Sequence, residues 1–160
     1  MGKVIRSFRN GYPGAVSRSA DDIIISMRNA SGAKISFGAP VFLAAGENAC
    51  CGFDADVSAP AAFLGFAVRI ADKTPDTYGS SEGAFLPGDP VDILVRGSTV
   101  LAFEGAAAVG NSVYIRKSDG RIVTSAGSEG TTVQLPNVAV RTPRDSGRCA
   151  EVTLAKRNLL

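Results

Sequence analysis

The sequence predicts an all-β fold, a small β-barrel or sandwich of short antiparallel strands preceded by an extended N-terminal arm. Three observations lead to this prediction. Short apolar runs alternate with polar residues, turn-forming residues separate these runs about every 8 to 12 positions, and no long run has the spacing of an amphipathic helix. The 18 Gly and 8 Pro residues favour a chain with many turns.

The first half of the chain contains three strand candidates. Residues 23–28 and 34–43 are apolar runs bounded by Gly, Asn or Asp, and residues 64–70 alternate large apolar side chains with small or charged ones. Residues 59–63 are the best short helical candidate. Because Pro60 and the following strand limit them, they leave room for a turn at most.

The second half of the chain predicts two hairpins. Residues 91–96 and 99–104 alternate on either side of Gly97-Ser98, which predicts a chain reversal at that dipeptide. Residues 113–116 and 121–125 flank Asp119-Gly120, a pair typical of tight hairpin turns. The remaining strand candidates are residues 132–135, 138–141 and 149–154.

Charge is distributed unevenly along a chain whose 160 residues suit one domain. Residues 1–20, the predicted arm, hold four basic residues and no acid, and residues 141–160 hold five basic residues against two acids. The single β-rich domain is predicted to span residues 21–160. Because the whole chain has a net charge of +2, its central part, residues 21–140, carries a net negative charge. Basic ends of this kind contact acidic protein surfaces or nucleic acid, or serve only to keep the chain solvated.

The residue inventory excludes several chemistries. With no His, the chain cannot form a Ser-His-Asp triad, a Cys-His dyad or an imidazole-ligated zinc site. No catalytic residue, cofactor site or metal site is predicted. The three cysteines, Cys50, Cys51 and Cys149, are interpreted as small buried thiols, with a bridge from Cys50 or Cys51 to Cys149 as the alternative. No apolar run is long enough to predict a membrane span.

Several short phrases of the sequence resemble the structural cement, or capsid decoration, proteins of tailed bacteriophages. The resemblance extends from about Gly11 to the C terminus. The phrases are, in chain order, Gly11-Tyr12-Pro13-Gly14, Val16-Ser17-Arg18, Gly65-Phe66-Ala67-Val68-Arg69, Pro87-Gly88, Val95-Arg96-Gly97, Val113-Tyr114-Ile115-Arg116-Lys117 and Gln134-Leu135-Pro136-Asn137.

This resemblance implies a non-enzymatic virion protein, made in the host cytoplasm, that binds the outer surface of the expanded head. Its expected partner is the major capsid protein, whose neighbouring subunits it would bridge. A protein that bridges capsid subunits at three-fold positions is expected to be a homotrimer, with a dimer as the second choice. The capsid-interface candidates are Arg6, Phe8, Arg9, Tyr12, Pro13 and Arg18, because arginines pair with carboxylates and Tyr12-Pro13 offers a stiff extended step with an aromatic anchor.

Two other functions compete with this interpretation. A virion accessory module that binds a host surface or carbohydrate would also be β-rich, but no Trp and 7% aromatic residues argue against stacking on sugars. A nucleic-acid-binding barrel is the third interpretation, and little binding is expected because aromatic residues do not accompany the basic clusters.

Overall fold

A computed structural model of the chain describes residues 9–54, 59–70 and 83–158. The described part of the chain is all-β, with one 3-10 turn and no α-helix. The strands are β1 (Val16–Asn29), β2 (Ile35–Ser36), β3 (Pro40–Leu43), β4 (Ala49–Cys51), β5 (Phe63–Ala67), β6 (Ala84–Phe85), β7 (Pro90–Ala102), β8 (Ser112–Arg116), β9 (Ile122–Val123), β10 (Thr132–Val140) and β11 (Cys149–Leu154). No helix among these residues could cross a membrane.

Five strands close into a barrel in the order β1-β4-β3-β5-β7, with β7 pairing back to β1. The β1–β4 pairing is parallel and the others are antiparallel. Alternate side chains fill the interior, among them Val41, Leu64 and Ile93, which are all fully buried. The prediction of an all-β barrel is confirmed, and its closure removes strand edges that would otherwise face solvent.

A second part of the sheet extends from the C-terminal half of β7, residues 97–102. Strands β11, β10, β8 and β9 continue the sheet in that order. The backbone N–H of Glu104 donates to the carbonyl of Ile122 at 2.8 Å, so β9 returns to the segment that leaves β7. The second core lies inside this curled sheet, where Leu101, Ile115 and Val152 pack with Phe63 and Phe66 from the barrel.

The predicted reversal at Gly97-Ser98 is wrong, because β7 runs unbroken through both residues. Its register with β11 is continuous from Gly97 to Ala102. Gly97 has φ of 122°, and a Cβ there would lie 2.1 Å from an Asp22 carboxylate oxygen. The glycine therefore lets the long strand pass close to β1 instead of turning it back.

Other predicted elements are confirmed with changed limits. The Asp119-Gly120 hairpin joins β8 to β9, and the 3-10 turn at Pro60–Ala62 is the single turn expected there. Residues 132–135 and 138–141 belong largely to one strand, β10, which pairs first with β8 and then with β11. β1 begins at Val16, inside the segment 1–20 that the charge pattern assigns to the arm.

Candidate functional site

The six residues predicted for the interface do not form one patch. Arg6 and Phe8 lie outside the described residues. Arg9 and Arg18 are exposed, Tyr12 is 45% exposed and Pro13 is half-buried. The four described residues sit on a segment, residues 9–18, that is attached to the rest of the fold at several points.

Residues 12–15 form a β-turn rather than the extended step expected at Tyr12-Pro13. The N–H of Ala15 donates to the carbonyl of Tyr12 at 3.0 Å. Pro13 and Gly14, with φ of 78°, occupy the central positions that suit a type II turn. Gly14 donates to Val100 at 2.9 Å and accepts from Arg69 at 2.8 Å. The turn is therefore part of the barrel wall.

The Tyr12 ring rests on the guanidinium of Arg69. The Arg69 Cζ lies 5.1 Å from the centre of the Tyr12 ring and 5.4 Å from the centre of the Phe37 ring. Cation–π contacts of this length hold both aromatic side chains in place. Tyr12 thus presents a fixed, half-exposed ring at the surface.

Asn10 ties the N-terminal segment to the loop before β11. Its backbone N–H donates to Asp145 Oδ2 at 2.6 Å, and its side chain donates to the carbonyls of Pro143 and Cys149 at 2.9 and 2.8 Å. Cys149 also donates its backbone N–H to the other Asp145 oxygen at 2.9 Å. A single aspartate therefore joins two parts of the chain that are 135 residues apart.

The Asp145 carboxylate is stabilised in its charged form. Burial alone would raise its pKa. The backbone N–H groups of Asn10, Cys149 and Gly147, together with the charge of Arg9, outweigh burial and hold the pKa of Asp145 below its ordinary value.

Arg18 forms an ion pair within its own chain. Its Nε lies 2.6 Å from Oε1 of Glu151, whose side chain is only 8% exposed, and Ser17 donates to the same oxygen at 3.0 Å. The hydrogen bond from Arg18 is the main reason that the pKa of Glu151 lies below its ordinary value, and the charge of Arg141 adds to it. The arginine remains 61% exposed, so its outer face is open to a partner.

These contacts bring the two basic ends of the sequence together. The charges of Arg9 and Arg144 oppose the rise that burial causes in the pKa of Cys149. The charge of Arg141 adds to the hydrogen bond from Arg18 in lowering the pKa of Glu151. Arg148 belongs to the same loop and donates its N–H to the Asp145 carbonyl at 3.1 Å. The guanidinium of Arg148, however, lies 3.9 Å from Glu104 and not beside these carboxylates. We call the remaining group the basic cluster, consisting of Arg9, Arg18, Arg141 and Arg144 around Asp145 and Glu151.

The C-terminal members of the basic cluster are not among the interface residues that the sequence predicts. Their signal is the excess of positive charge in residues 141–160, but charge alone does not show that this segment lies against residues 9–18. Both enclosed carboxylates already accept several hydrogen bonds from the chain. The cluster therefore presents more positive than negative charge to an external partner.

The cysteines are not arranged for nucleophilic chemistry. Cys50 and Cys149 are buried free thiols and Cys51 is half-buried. Burial, with a smaller effect of the neighbouring Cys51, raises the pKa of Cys50 to about 11, and burial also raises the pKa of the other two. The three thiols are therefore protonated at neutral pH. In the described part of the chain, no three His, Cys, Asp or Glu residues are grouped to hold a metal ion.

Two comparisons find similar proteins. A family model described as Structural cement protein (E217 gp24/Pam3 gp6) matches residues 3–155. A solved structure titled "The capsid of Myoviridae Phage XM1" contains a chain with a TM-score of 0.73 and 16% sequence identity, and the match covers 96% of each chain. That likeness shows a shared fold. A search of curated proteins finds no match.

Proposed function

Because the chain belongs to the phage structural cement protein family, we propose that it binds the outer surface of the expanded phage head. There it bridges neighbouring major capsid protein subunits and stabilises the capsid, without catalysing a reaction. The family itself has a structural role in the virion. The observation that carries the finer proposal is the basic cluster, where both ends of the chain meet.

The basic cluster suits contact with acidic capsid surfaces. Four arginines lie near two carboxylates that the chain has already supplied with donors. The guanidinium groups retain hydrogen-bond donors for carboxylates of another protein, and arginine binds these in a planar, two-point geometry. A bridging protein gains from this arrangement, since many modest contacts over a lattice add up to a large energy of separation.

The N-terminal arm extends this contact in our proposal. Phe8 directly precedes Arg9 and Arg6 lies three residues before it, so in our proposal both contact the partner beside the basic cluster. Tyr12 and Pro13 form the fixed base of the arm, because the turn at residues 12–15 is bonded to the barrel. A deletion that tests the arm should therefore end at residue 8, since a longer one removes Asn10 and its bonds to Pro143 and Cys149.

We also propose that the protein is a homotrimer. A protein that bridges capsid subunits around three-fold positions of a head has this symmetry. A closed ring of three copies presents three basic clusters to the capsid lattice. Sedimentation velocity over a range of concentrations measures the state. A protein that stays a monomer throughout, both free and when released from heads, contradicts the trimer.

Binding to heads that lack the protein tests the capsid proposal. We expect wild-type protein to cosediment with expanded heads, to occupy regular lattice positions in electron micrographs, and to bind more weakly as salt rises. Arg9→Glu and Arg141→Glu should each weaken binding at least about tenfold, as reversal of a desolvated interface charge does.

Lys117→Glu provides the matched control, since it makes the same charge change on the β8–β9 hairpin, outside the basic cluster. It should bind like the wild type. Equal loss in all three variants would attribute the effect to net charge alone. Absence of binding by folded wild-type protein to either compact or expanded heads would refute the capsid proposal.

A further inference from the structure

Strand β1 has one paired edge and one edge that is largely unpaired within the described residues. Along one edge it pairs with β7, in regular register from Ile24 opposite Leu94 to Arg28 opposite Pro90. On the other edge its partner among the described residues is β4, which pairs only with Arg28 and Asn29. β1 is 14 residues long, so most of this second edge has no described neighbour.

The backbone groups on that edge can be identified from the alternation of the strand. The N–H of Arg28 donates to Asn48, on the β4 side, at 2.8 Å, and the N–H of Asn29 donates to Asp89, on the β7 side, at 2.9 Å. Successive residues of a strand direct their backbone groups to opposite edges. Ile24 and Ser26 therefore direct their N–H and C=O groups away from β7, the way Arg28 does.

The side chains next to these groups are also uncovered. Ile24 is 46% exposed, and Ile23 and Ile25 are only partly buried although they pack against the barrel core. Proteins usually protect an open edge with proline, lysine or a covering loop. Residues 23–27 contain neither proline nor lysine, so three isoleucines lie beside four backbone groups that no described strand pairs with.

We propose that this open edge, residues 23–27 of β1, receives a short extended segment of the major capsid protein as an added strand. The proposal rests on the proposed capsid-binding function. Two to three backbone pairs would give affinity, and an apolar side chain against Ile24 would give a packed contact. The segment should also carry a lysine or arginine, because Asp21, at the start of this edge, stays 69% exposed although it pairs with Arg96 at 2.7 Å.

A second copy of the chain fits this edge less well. The edge at Arg28 is already taken by Asn48, so two copies could pair only around Ile24. A two-fold axis at Ile24 would place Asp22 opposite Ser26 and Asp21 opposite Met27 of the other copy, so each half of the pair would include the register shift of β1 between Ile23 and Ile24. The irregular backbone on the N-terminal side of Ile24 disfavours this symmetric pairing.

Hydrogen exchange measures the edge directly. In the free protein, the N–H groups of Ile24 and Ser26 should exchange rapidly, whereas those of Ile25 and Met27, which face β7, should exchange slowly and serve as internal controls. When the protein is bound to expanded heads that lack it, Ile24 and Ser26 should slow by at least about tenfold. Unchanged exchange at both residues would overturn the proposal.

Protection already present in the free protein would also overturn it. Protection that increases with protein concentration would assign the edge to a second copy, and protection at every concentration would assign it to another part of the same chain.

A pair of edge variants supplies the independent test. Ile24→Lys puts a charge at the open edge, and Leu86→Lys makes the same change at a residue that is 59% exposed elsewhere. After both are shown to be folded, Ile24→Lys should bind heads at least about tenfold more weakly, and Leu86→Lys should bind like the wild type. If wild type and both variants bind equally, the edge proposal fails while the capsid function stands. If wild type does not bind, the proposed function itself fails.

Discussion

Gly65 allows strands β5 and β7 to approach closely, and replacing it should open the barrel. A Cβ at this position would lie 1.9 Å from the Leu94 carbonyl oxygen and 3.2 Å from Ile93 Cγ2. Carbon and oxygen atoms in contact are ordinarily about 3.3 Å apart, so Gly65→Ala must push the strands apart by about 1.4 Å.

The cost follows from the pairing that this separation strains. Adjacent residues of β5 pair with β7 at Phe66 opposite Leu94 and Ala67 opposite Ile93, and all four are fully buried. Overpacking a core costs about 1–3 kcal/mol, and each weakened buried hydrogen bond adds about 1 kcal/mol. With two such bonds weakened, we expect Gly65→Ala to lower the free energy of unfolding by about 3–5 kcal/mol, measured by urea denaturation with an unchanged slope.

Two control variants separate steric overlap from other effects of alanine. Gly32 has ordinary φ, and no atom lies within 4 Å of the position that a Cβ would take, so Gly32→Ala should be nearly neutral. Gly110 is equally open but has φ of 86°, so Gly110→Ala should cost only about 1 kcal/mol of backbone strain. If Gly65→Ala falls within about 1 kcal/mol of Gly32→Ala, the close approach of the two strands does not constrain this position.

Three further predictions concern the ionisable groups. Because folding lowers the pKa of Asp145, its charged carboxylate contributes to stability at neutral pH, and this contribution disappears as pH falls below the unfolded value of 3.8. The Asp145→Asn variant should therefore melt at a lower temperature than the wild type at pH 7 and lose less stability on acidification. Equal slopes of melting temperature against pH for the two proteins would contradict this. Arg18→Ala should return the pKa of Glu151 toward its ordinary value, and a carboxyl titration by NMR that shows no shift would refute the pairing. With a pKa of about 11, Cys50 should be the slowest of the thiols to react with a disulfide reagent at pH 8, while unfolding in urea should make the thiols equally reactive.

The local pattern of the sequence predicts most strands because each buries alternate residues. β8, with buried Val113 and Ile115, is one example, and β11 has the limits that its pattern predicts. The hairpin between β8 and β9 is also predictable, since Gly120 has φ of 68° and the Asp119 side chain accepts hydrogen bonds from Arg116 and Arg121. Such turns depend on a few neighbouring residues, which are visible in the sequence.

The path of β7 could not be predicted in this way. Gly97-Ser98 satisfies the local rule for a reversal, yet three strands pair with β7, β1 along one edge and β5 and then β11 along the other. These partners come from residues far away in sequence, and their combined hydrogen bonds outweigh the preference of one dipeptide.

The candidate site likewise combines features that local sequence predicts with features that depend on distant contacts. Composition and short-range alternation were enough to establish the excess of positive charge at both ends, the absence of His chemistry and the all-β class. The bond from Asn10 to Asp145, the pairing of Arg18 with Glu151 and the open edge of β1 emerged only from the folded chain. These features depend on segments far apart in sequence meeting around β7, and no local pattern records which distant strand supplies a partner.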